Sequence, residues 1–497
     1  MLTKGASAII GITGLLLTTR YLGAEQYGTI TWMLAILATF NTIADLGFGS
    51  AHTKRVSEGH DLSECVSTFA YVKGLLTLAM ALFVVFSVGI WYVASEHPLS
   101  GSSIRLLLVL LVFQVVIDLT KIATTTFEAK VETAKSQLIY FCDPLVRLPF
   151  LVFVLLNGMG AIGVSFAYLA GGIGASVVAL FLISKERIVW QKPKLINSYA
   201  KWAIPMVAVM VASGILLQLA PTMIGVFWPK SDVAYYSTSL SLLSYLGILG
   251  GSAMMLLFPT FSKWFHEGRL DDIKRASREG ERYLSLISLP ILTTIIVFPS
   301  QIAVIMFGDA FYNTGRVLPY LAVATYIGLL NITVSAQVLG MNRADLYVKW
   351  TYVDLTLASM LLIILVPSSV LGIHTLGLSY RGAAIASVIS AFVGFGIARW
   401  FTYSLTGAKP NPSILKHVVA AATIGIVMHY ASTVYPVLYG YDAAVYLLIA
   451  LGGFLAILYC LREFTAHDLR FFLDALDVKK LMQYVRGELW AKGKEPP

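Results

Sequence analysis

The sequence predicts an all-α polytopic membrane protein of about fourteen transmembrane helices, arranged as two six-helix lobes plus two C-terminal helices. Three observations predict it. Of 497 residues, 57% are hydrophobic and 13% charged, whereas a soluble chain needs roughly a quarter of its residues charged. The mean hydropathy is +0.77, and that apolar excess has to face lipid. Apolar runs recur along the chain at the ~20 residues that cross a ~30 Å hydrocarbon core.

Taken in order, the first six spans fall at 2–19, 29–48, 68–93, 104–126, 138–156 and 162–183. The next six fall at 203–227, 233–258, 283–307, 317–339, 347–366 and 376–400, and the last two at 414–434 and 443–461. The first run leads into Thr18-Thr19-Arg20-Tyr21 and not into a small-residue cleavage site, so it reads as a span and not as a signal peptide. Links after even-numbered spans collect Lys and Arg, from Lys54 and Arg55 through Lys185 and Arg187 to Lys409; the opposite links hold only Arg20, Arg105, Lys230, Arg316 and Arg381. Basic residues stay on the cytoplasmic side. Both termini are therefore expected in the cytoplasm, and the net charge of +9 needs no nucleic acid to explain it.

A faint repeat runs through the chain at an offset of 209 residues. It pairs Tyr27 with Tyr236, Lys54 with Lys263, and Glu58-Gly59 with Glu267-Gly268. The implied division is an N-lobe at 1–183, a cytoplasmic linker at 184–202, a C-lobe at 203–403, spans thirteen and fourteen at 404–461, and a cytoplasmic tail at 462–497. A parallel repeat of this kind places binding sites between its halves. Residues 262–282 read as a basic amphipathic link lying on the inner surface, and Leu469, Phe472, Leu473 and Leu476 as a short interfacial helix in the tail.

Charges at bilayer depth cost a few kcal/mol or more, so each should face a cavity or a partner. In the fourth span Gln114, Asp118, Lys121 and Thr125 share one helical face; a cavity wall and a self-satisfied Asp118–Lys121 pair are equal readings. In the fifth, Asp143 and Arg147 lie four apart, with Arg147 ~14 Å into the span, too deep to reach the surface. Lys73 lies near the inner end of the third span, where snorkelling is the expected role, and Asp45 near the inner end of the second. The substrate-cavity candidates are thus Lys73, Gln114, Asp118, Lys121 and Arg147. A cationic, hydrated vestibule built from them would suit a phosphate-bearing substrate. The second half offers Asp354, Gln218, Asn331, Ser335 and Gln337. Asp118, Asp143 and Asp354 are candidates for binding a coupling ion, H⁺ or Na⁺, with structural counter-ion roles the equal alternative.

Catalytic signatures are missing. There is no Walker-type loop, His-Glu-x-x-His motif or nucleophile elbow, and Cys65, Cys142 and Cys460 have neither disulfide nor metal spacing. No enzyme activity, metal or cofactor is expected.

The stretch Arg20-Tyr21-Leu22-Gly23-Ala24-Glu25-Gln26-Tyr27-Gly28, followed by Asp45-Leu46-Gly47 and Lys54-Arg55-Val56-Ser57-Glu58, resembles the opening of polysaccharide-biosynthesis flippases. These belong to the multidrug/oligosaccharidyl-lipid/polysaccharide exporter superfamily, whose members carry Arg-x-Leu-Gly-x-x-x-Tyr-Gly at an outer turn and Asp-x-Gly before a basic inner loop. The motif positions here are Arg20, Gly23, Tyr27, Gly28, Asp45 and Gly47. Gly23 and Gly28 are expected to let the chain turn, with Arg20 and Glu25 at headgroup level. The Phe127-Glu128-Ala129-Lys130 link and the tail are more similar to archaeal members. The resemblance implies two lobes rocking about a central cavity, with a polyprenyl-linked oligosaccharide as substrate, its tail left in membrane lipid, and glycosyltransferases or a polymerase of the same pathway as partners. A cation-coupled drug exporter of the same superfamily and a non-transporting scaffold for glycan assembly are the alternatives.

Overall fold

The computed structural model describes residues 2–94, 100–370, 372–465 and 468; the expected tail helix lies outside them. Sixteen α-helices carry the fold among these residues. The first eight are α1 (Leu2–Asp45), α2 (Phe48–Ser57), α3 (Leu62–Ala94), α4 (Gly101–Ala129), α5 (Thr133–Leu156), α6 (Gly160–Ser184), α7 (Ile196–Phe227) and α8 (Lys230–Ser244). There follow α9 (Gly247–His266), α10 (Leu270–Val297), α11 (Pro299–Phe307), α12 (Leu318–Gly340), α13 (Ala344–Leu365), α14 (Ser379–Thr406), α15 (Ser413–Val434) and α16 (Gly440–Cys460). A 3-10 turn (Asp309–Arg316) precedes α12, and a two-stranded hairpin, β1 (Ser369–Val370) with β2 (Ile373–His374), precedes α14.

Eleven helices are long and apolar enough to cross a membrane, and α8 with α9 forms a further crossing bent by 44°. Straight, the 44-residue α1 would measure ~66 Å, twice a bilayer core. It is interrupted at Gly23, whose φ of 70° and ψ of 178° suit a residue without Cβ. Tyr21 before the break and Gln26 after it both lie by the α5–α6 turn, at Gly158 and Gly160, and α1 then ends at Lys73 on the opposite side, so the chain doubles back at the break. Counting α1 as two crossings and adding the 32-residue α7 gives the fourteen that hydropathy predicts.

Turns alternate between two ends of the bundle. The near face carries the links around 46–61, 130–132, 185–195, 267–269, 341–343 and 407–412; the far face carries Gly23, Trp228-Pro229 and the 3-10 turn. The first boundary to move is at 262–282. These residues are not a surface link but the ends of α9 and α10, which meet in a turn at 267–269. Buried Ile273, Ser277, Glu281 and Leu284 recur at helical spacing, so α10 keeps one face packed while its charges reach water.

Neighbour relations are duplicated. The packing of α3 on α4 recurs as α10 on α12, α4 on α6 as α12 on α14, α5 on α6 as α13 on α14, and α1 on α5 as α7 on α13. Repeated residues also do the same work. Glu58 and Glu267 each cap a helix, their amides bonded to Lys54 and Lys263 carbonyls, and Gly59 and Gly268 follow at φ of 83° and 72°. Such left-handed C-terminal turns favour glycine.

The segment after α16 is tied down at the near face. Arg282 donates to Glu463 Oε1 and to both carboxylate oxygens of Asp468, each at 2.8 Å. Hydrogen bonding from that guanidinium holds the Asp468 carboxyl well below the usual carboxylate range.

Candidate functional site

Two polar centres form in the first half, and the structure does not join them into one vestibule. The first is built on Asp118, fully buried on α4. Lys121, one turn along, donates to its Oδ1 at 2.8 Å, Lys73 from α3 at 3.3 Å, and Gln114 to its Oδ2 at 3.2 Å. Asn41 of α1, its amide nitrogen turned toward the carboxylate on hydrogen-bonding grounds, donates to Oδ1 at 3.0 Å. Lys73 also donates to the Ala44 carbonyl at 2.6 Å, one of the orphan carbonyls at the end of α1.

Lys73 therefore does not snorkel. It is 1% exposed and points inward, held by a carboxylate and a helix end. Lys121 is about one-third exposed and, of the two lysines, is the one open to a ligand. Thr125 is half-buried and takes no part in the centre.

The second centre is the Asp143–Arg147 pair on α5. Arg147 grips Asp143 through Nε at 3.1 Å and through Nη2, the bidentate geometry that makes such pairs strong. Its guanidinium lies 4.2 Å from the Tyr168 ring and 5.6 Å from that of Phe113, in the range of cation–π contact. A cavity of about 280 Å³ opens beside it, lined by Thr18 and Tyr27 of α1, Arg147 of α5, Tyr168 of α6, and Ser241 and Tyr245 around the α8–α9 bend. It lies on the seam between the first six crossings and the rest. Glycine makes the fit: a Cβ on Gly171 of α6 would sit 2.2 Å from Asp143 Oδ1. The pair is neutral, but a guanidinium has five N–H donors, which leaves donors for a phosphate or a sugar hydroxyl.

The second half holds a different kind of centre. A cavity of about 450 Å³ lies among α7, α8, α12, α13 and α14, with Asp354, Asn331, Thr351 and Ser390 in its wall. Asp354 Oδ1, Asn331 Oδ1 and Ser390 Oγ are each buried without a hydrogen-bond partner. Buried polar atoms are rarely left so, and here three acceptor-capable oxygens share one cavity. Gln218 and Ser335 are not among its lining residues. Gln337 donates instead to Thr406 at 3.1 Å.

Among the buried ion pairs that sequence reasoning missed, one lies at the centre of the second half. Glu281 of α10 is fully buried against Arg399 of α14 (2.5 Å) and accepts from Thr333 of α12 at 3.2 Å. It links three helices of the second half as Asp118 links three of the first. The signal was available in the helical spacing of Ile273, Ser277 and Glu281.

The opening motif proves to be an interface as well as a turn. Gly23 breaks α1 as expected, and Gly47, at φ 81°, starts α2 after Asp45. Gly28, however, lies within a helix and makes a close approach: a Cβ there would sit 1.7 Å from the Lys230 carbonyl oxygen at the start of α8. Tyr27 is buried, its ring edge-on to Phe311 at 6.1 Å.

Comparison with known proteins gives the architecture a lineage. Residues 17–316 match the family model described as "Polysaccharide biosynthesis protein". The chain is similar to the probable low-salt glycan biosynthesis flippase Agl15 of Haloferax volcanii, at 21% identity over 80% of each protein. In fold it resembles the lipid II flippase MurJ in an inward closed conformation, with a TM-score of 0.74 at 14% identity over 92% of this chain and 97% of that one. It also resembles an inward-facing multidrug resistance MATE transporter of the MOP superfamily, with a TM-score of 0.64 at 15% identity over 81% of this chain and 96% of that one. The solved relatives share its all-α membrane fold. The chain belongs to the polysaccharide biosynthesis protein family.

Proposed function

We propose that the protein is a flippase carrying a polyprenyl-(pyro)phosphate-linked oligosaccharide across the cytoplasmic membrane by alternating access, for surface polysaccharide assembly or protein glycosylation. The near face is the cytoplasmic one, and the lobes at 1–183 and 203–403 rock about the seam. The observation that carries the reading is the seam cavity with Arg147 at mid-depth, roughly 20 Å along α5 from its start. Phosphate and sugar enter from the cytoplasmic leaflet, where partly exposed Lys121 is the first cation met, and the polyprenyl tail stays in lipid. Asp354, the carboxylate with an open oxygen, is the coupling site for H⁺ or Na⁺. Asp118 and Asp143 already hold lysine and arginine and serve as counter-ions. Glycosyltransferases that make the lipid-linked unit, or a polymerase that consumes it, are the partners, and the protein itself makes or breaks no covalent bond.

The test is the double variant Arg147→Ala with Lys121→Ala, scored for surface glycan and for protein in the membrane fraction. Loss of glycan with normal protein supports the reading; wild-type glycan removes both residues from the mechanism. The open carboxylate of Asp354 in a cavity of about 450 Å³ also favours a second reading, export of a cationic compound. Resistance to cationic dyes on overexpression, with glycan unchanged in a deletion strain, would establish that alternative.

A further inference from the structure

The two charged residues of the Arg20–Gly28 stretch are bonded to backbone groups at the ends of second-half helices. Arg20 donates from Nε to the Met306 carbonyl at 3.0 Å and from Nη2 to the Ile305 carbonyl. Both carbonyls belong to the last turn of α11, where helix carbonyls lack partners and the dipole is negative. Glu25, five residues on, accepts from the Ser231 amide at 3.1 Å. That amide belongs to the first turn of α8, where amides lack partners and the dipole is positive. A cation thus closes one helix C-terminus and an anion one N-terminus, from either side of the break at Gly23.

Side-chain fit completes the contact. Gly28 lies against the Lys230 carbonyl, a distance no residue with a Cβ could reach. The Lys230 ammonium lies 3.6 Å over the Trp32 ring and donates to the Gly225 carbonyl, while the Trp32 indole donates to the Thr222 carbonyl at 3.2 Å. Residues 20–32 therefore touch α7, α8, α11 and the 3-10 turn, all in the second half, and all at the far face. Tyr27, in the same segment, is also in the wall of the seam cavity.

We propose that residues 20–32 are a far-face latch between the two halves, and that releasing Arg20 and Glu25 from the two helix ends opens the seam cavity to that side. This rests on the alternating-access reading and names the device that regulates it. The latch suits reversible use. Arg20 and Glu25 are uncovered by protein and flank the far-face turn at Gly23, so opening hands each to the aqueous surface and strands no charge in lipid. Their partners are main-chain groups, so the second half needs only helix ends at the right place, and the residue identities are concentrated in the first.

The experiment labels a cysteine in the cavity wall. In full-length protein reconstituted in vesicles, with Cys142 and Cys460 replaced by serine, Ser241→Cys is exposed to a membrane-impermeant maleimide from the far side. Arg20→Ala with Glu25→Gln should raise the labelling rate roughly fivefold, and Gly28→Val should do the same by unseating α8. A short thiol-reactive bridge between Glu25→Cys and Ser231→Cys should return labelling to the parent rate. Unchanged labelling in both latch variants, with each protein monodisperse, overturns the proposal, as does a bridged protein that labels as fast as the unbridged one. The readout needs no substrate. A faster label with unaltered glycan transfer would thus count against the flippase reading and leave the latch standing.

Discussion

The Asp118 centre and the Asp354 cavity are both polar sites buried among transmembrane helices, and they differ in one respect. Asp118 is met by Lys73, Lys121, Gln114 and Asn41, and it is completely buried. Asp354 keeps a carboxylate oxygen with no partner, facing open volume beside two other unpaired polar atoms. Removing one member of a satisfied buried set strands the others, whereas an unsatisfied set carries a standing cost that water, a proton or a ligand relieves. The buried members of the first centre are therefore held in place by one another, with only Lys121 partly open, whereas the second keeps acceptor oxygens in reserve. Charge content alone would have ranked them the other way.

The sharpest way to break this contrast is Asp118→Ala, which leaves Lys73 buried beside a single carbonyl. Breaking a buried ion pair costs ~3–5 kcal/mol, so the variant should lose most of its folded, monodisperse fraction in detergent; a normal thermal midpoint would refute the architectural role. Next is Gly171→Ala, whose Cβ would collide with Asp143 Oδ1. Overpacking of this kind costs ~1–3 kcal/mol and should displace Asp143 from Arg147, lowering both the thermal midpoint and transport.

Asp354→Asn keeps the shape of the cavity and removes the charge. It should leave the melting temperature unchanged while cutting translocation about tenfold, equivalent to ~1.4 kcal/mol, and abolishing its dependence on the cation gradient. A melting change as large as that of Asp118→Ala would erase the distinction between the two centres.

The smallest effect concerns the near-face clamp. Asp468 is held low by Arg282, so its contribution is complete above the free aspartate value of about 4 and is lost as pH falls through the depressed folded value. A fluorophore on exposed Cys460 should report release only in that acid range, and Arg282→Ala should produce the released signal at neutral pH.

Hydropathy made the helices legible because lipid imposes one rule on every crossing. It failed where a helix leaves the bilayer. The charged first turns of α10 looked like a link because composition changes at the membrane surface while the helix continues. Lys73 was misassigned for another reason. Its depth could be counted from the sequence, but its carboxylate partner stands on a different helix, 45 positions away. Glu281 and Arg399 lie farther apart still, and no local pattern pairs them. The opening motif was recognisable as a string of residues, yet its role depends on main-chain atoms of the second half, and these leave no trace in residue identity. Asp354 could be picked out as an intramembrane acid, but that its oxygen is unpaired is a property of the assembled cavity.

The grip of Asp118 on Lys73 also bears on how the chain enters the bilayer. A lysine or aspartate in an isolated crossing costs up to ~2.5–3.5 kcal/mol on insertion, most at its centre; α3 brings Lys73 toward its inner end, and α4 brings Asp118 with Lys121. An α3–α4 hairpin leaving the translocon as one unit would pair Lys73 with Asp118 before lipid surrounds them. A nascent chain truncated between α3 and α4 should then integrate α3 less efficiently than a longer one, and Lys73→Leu should abolish that length dependence.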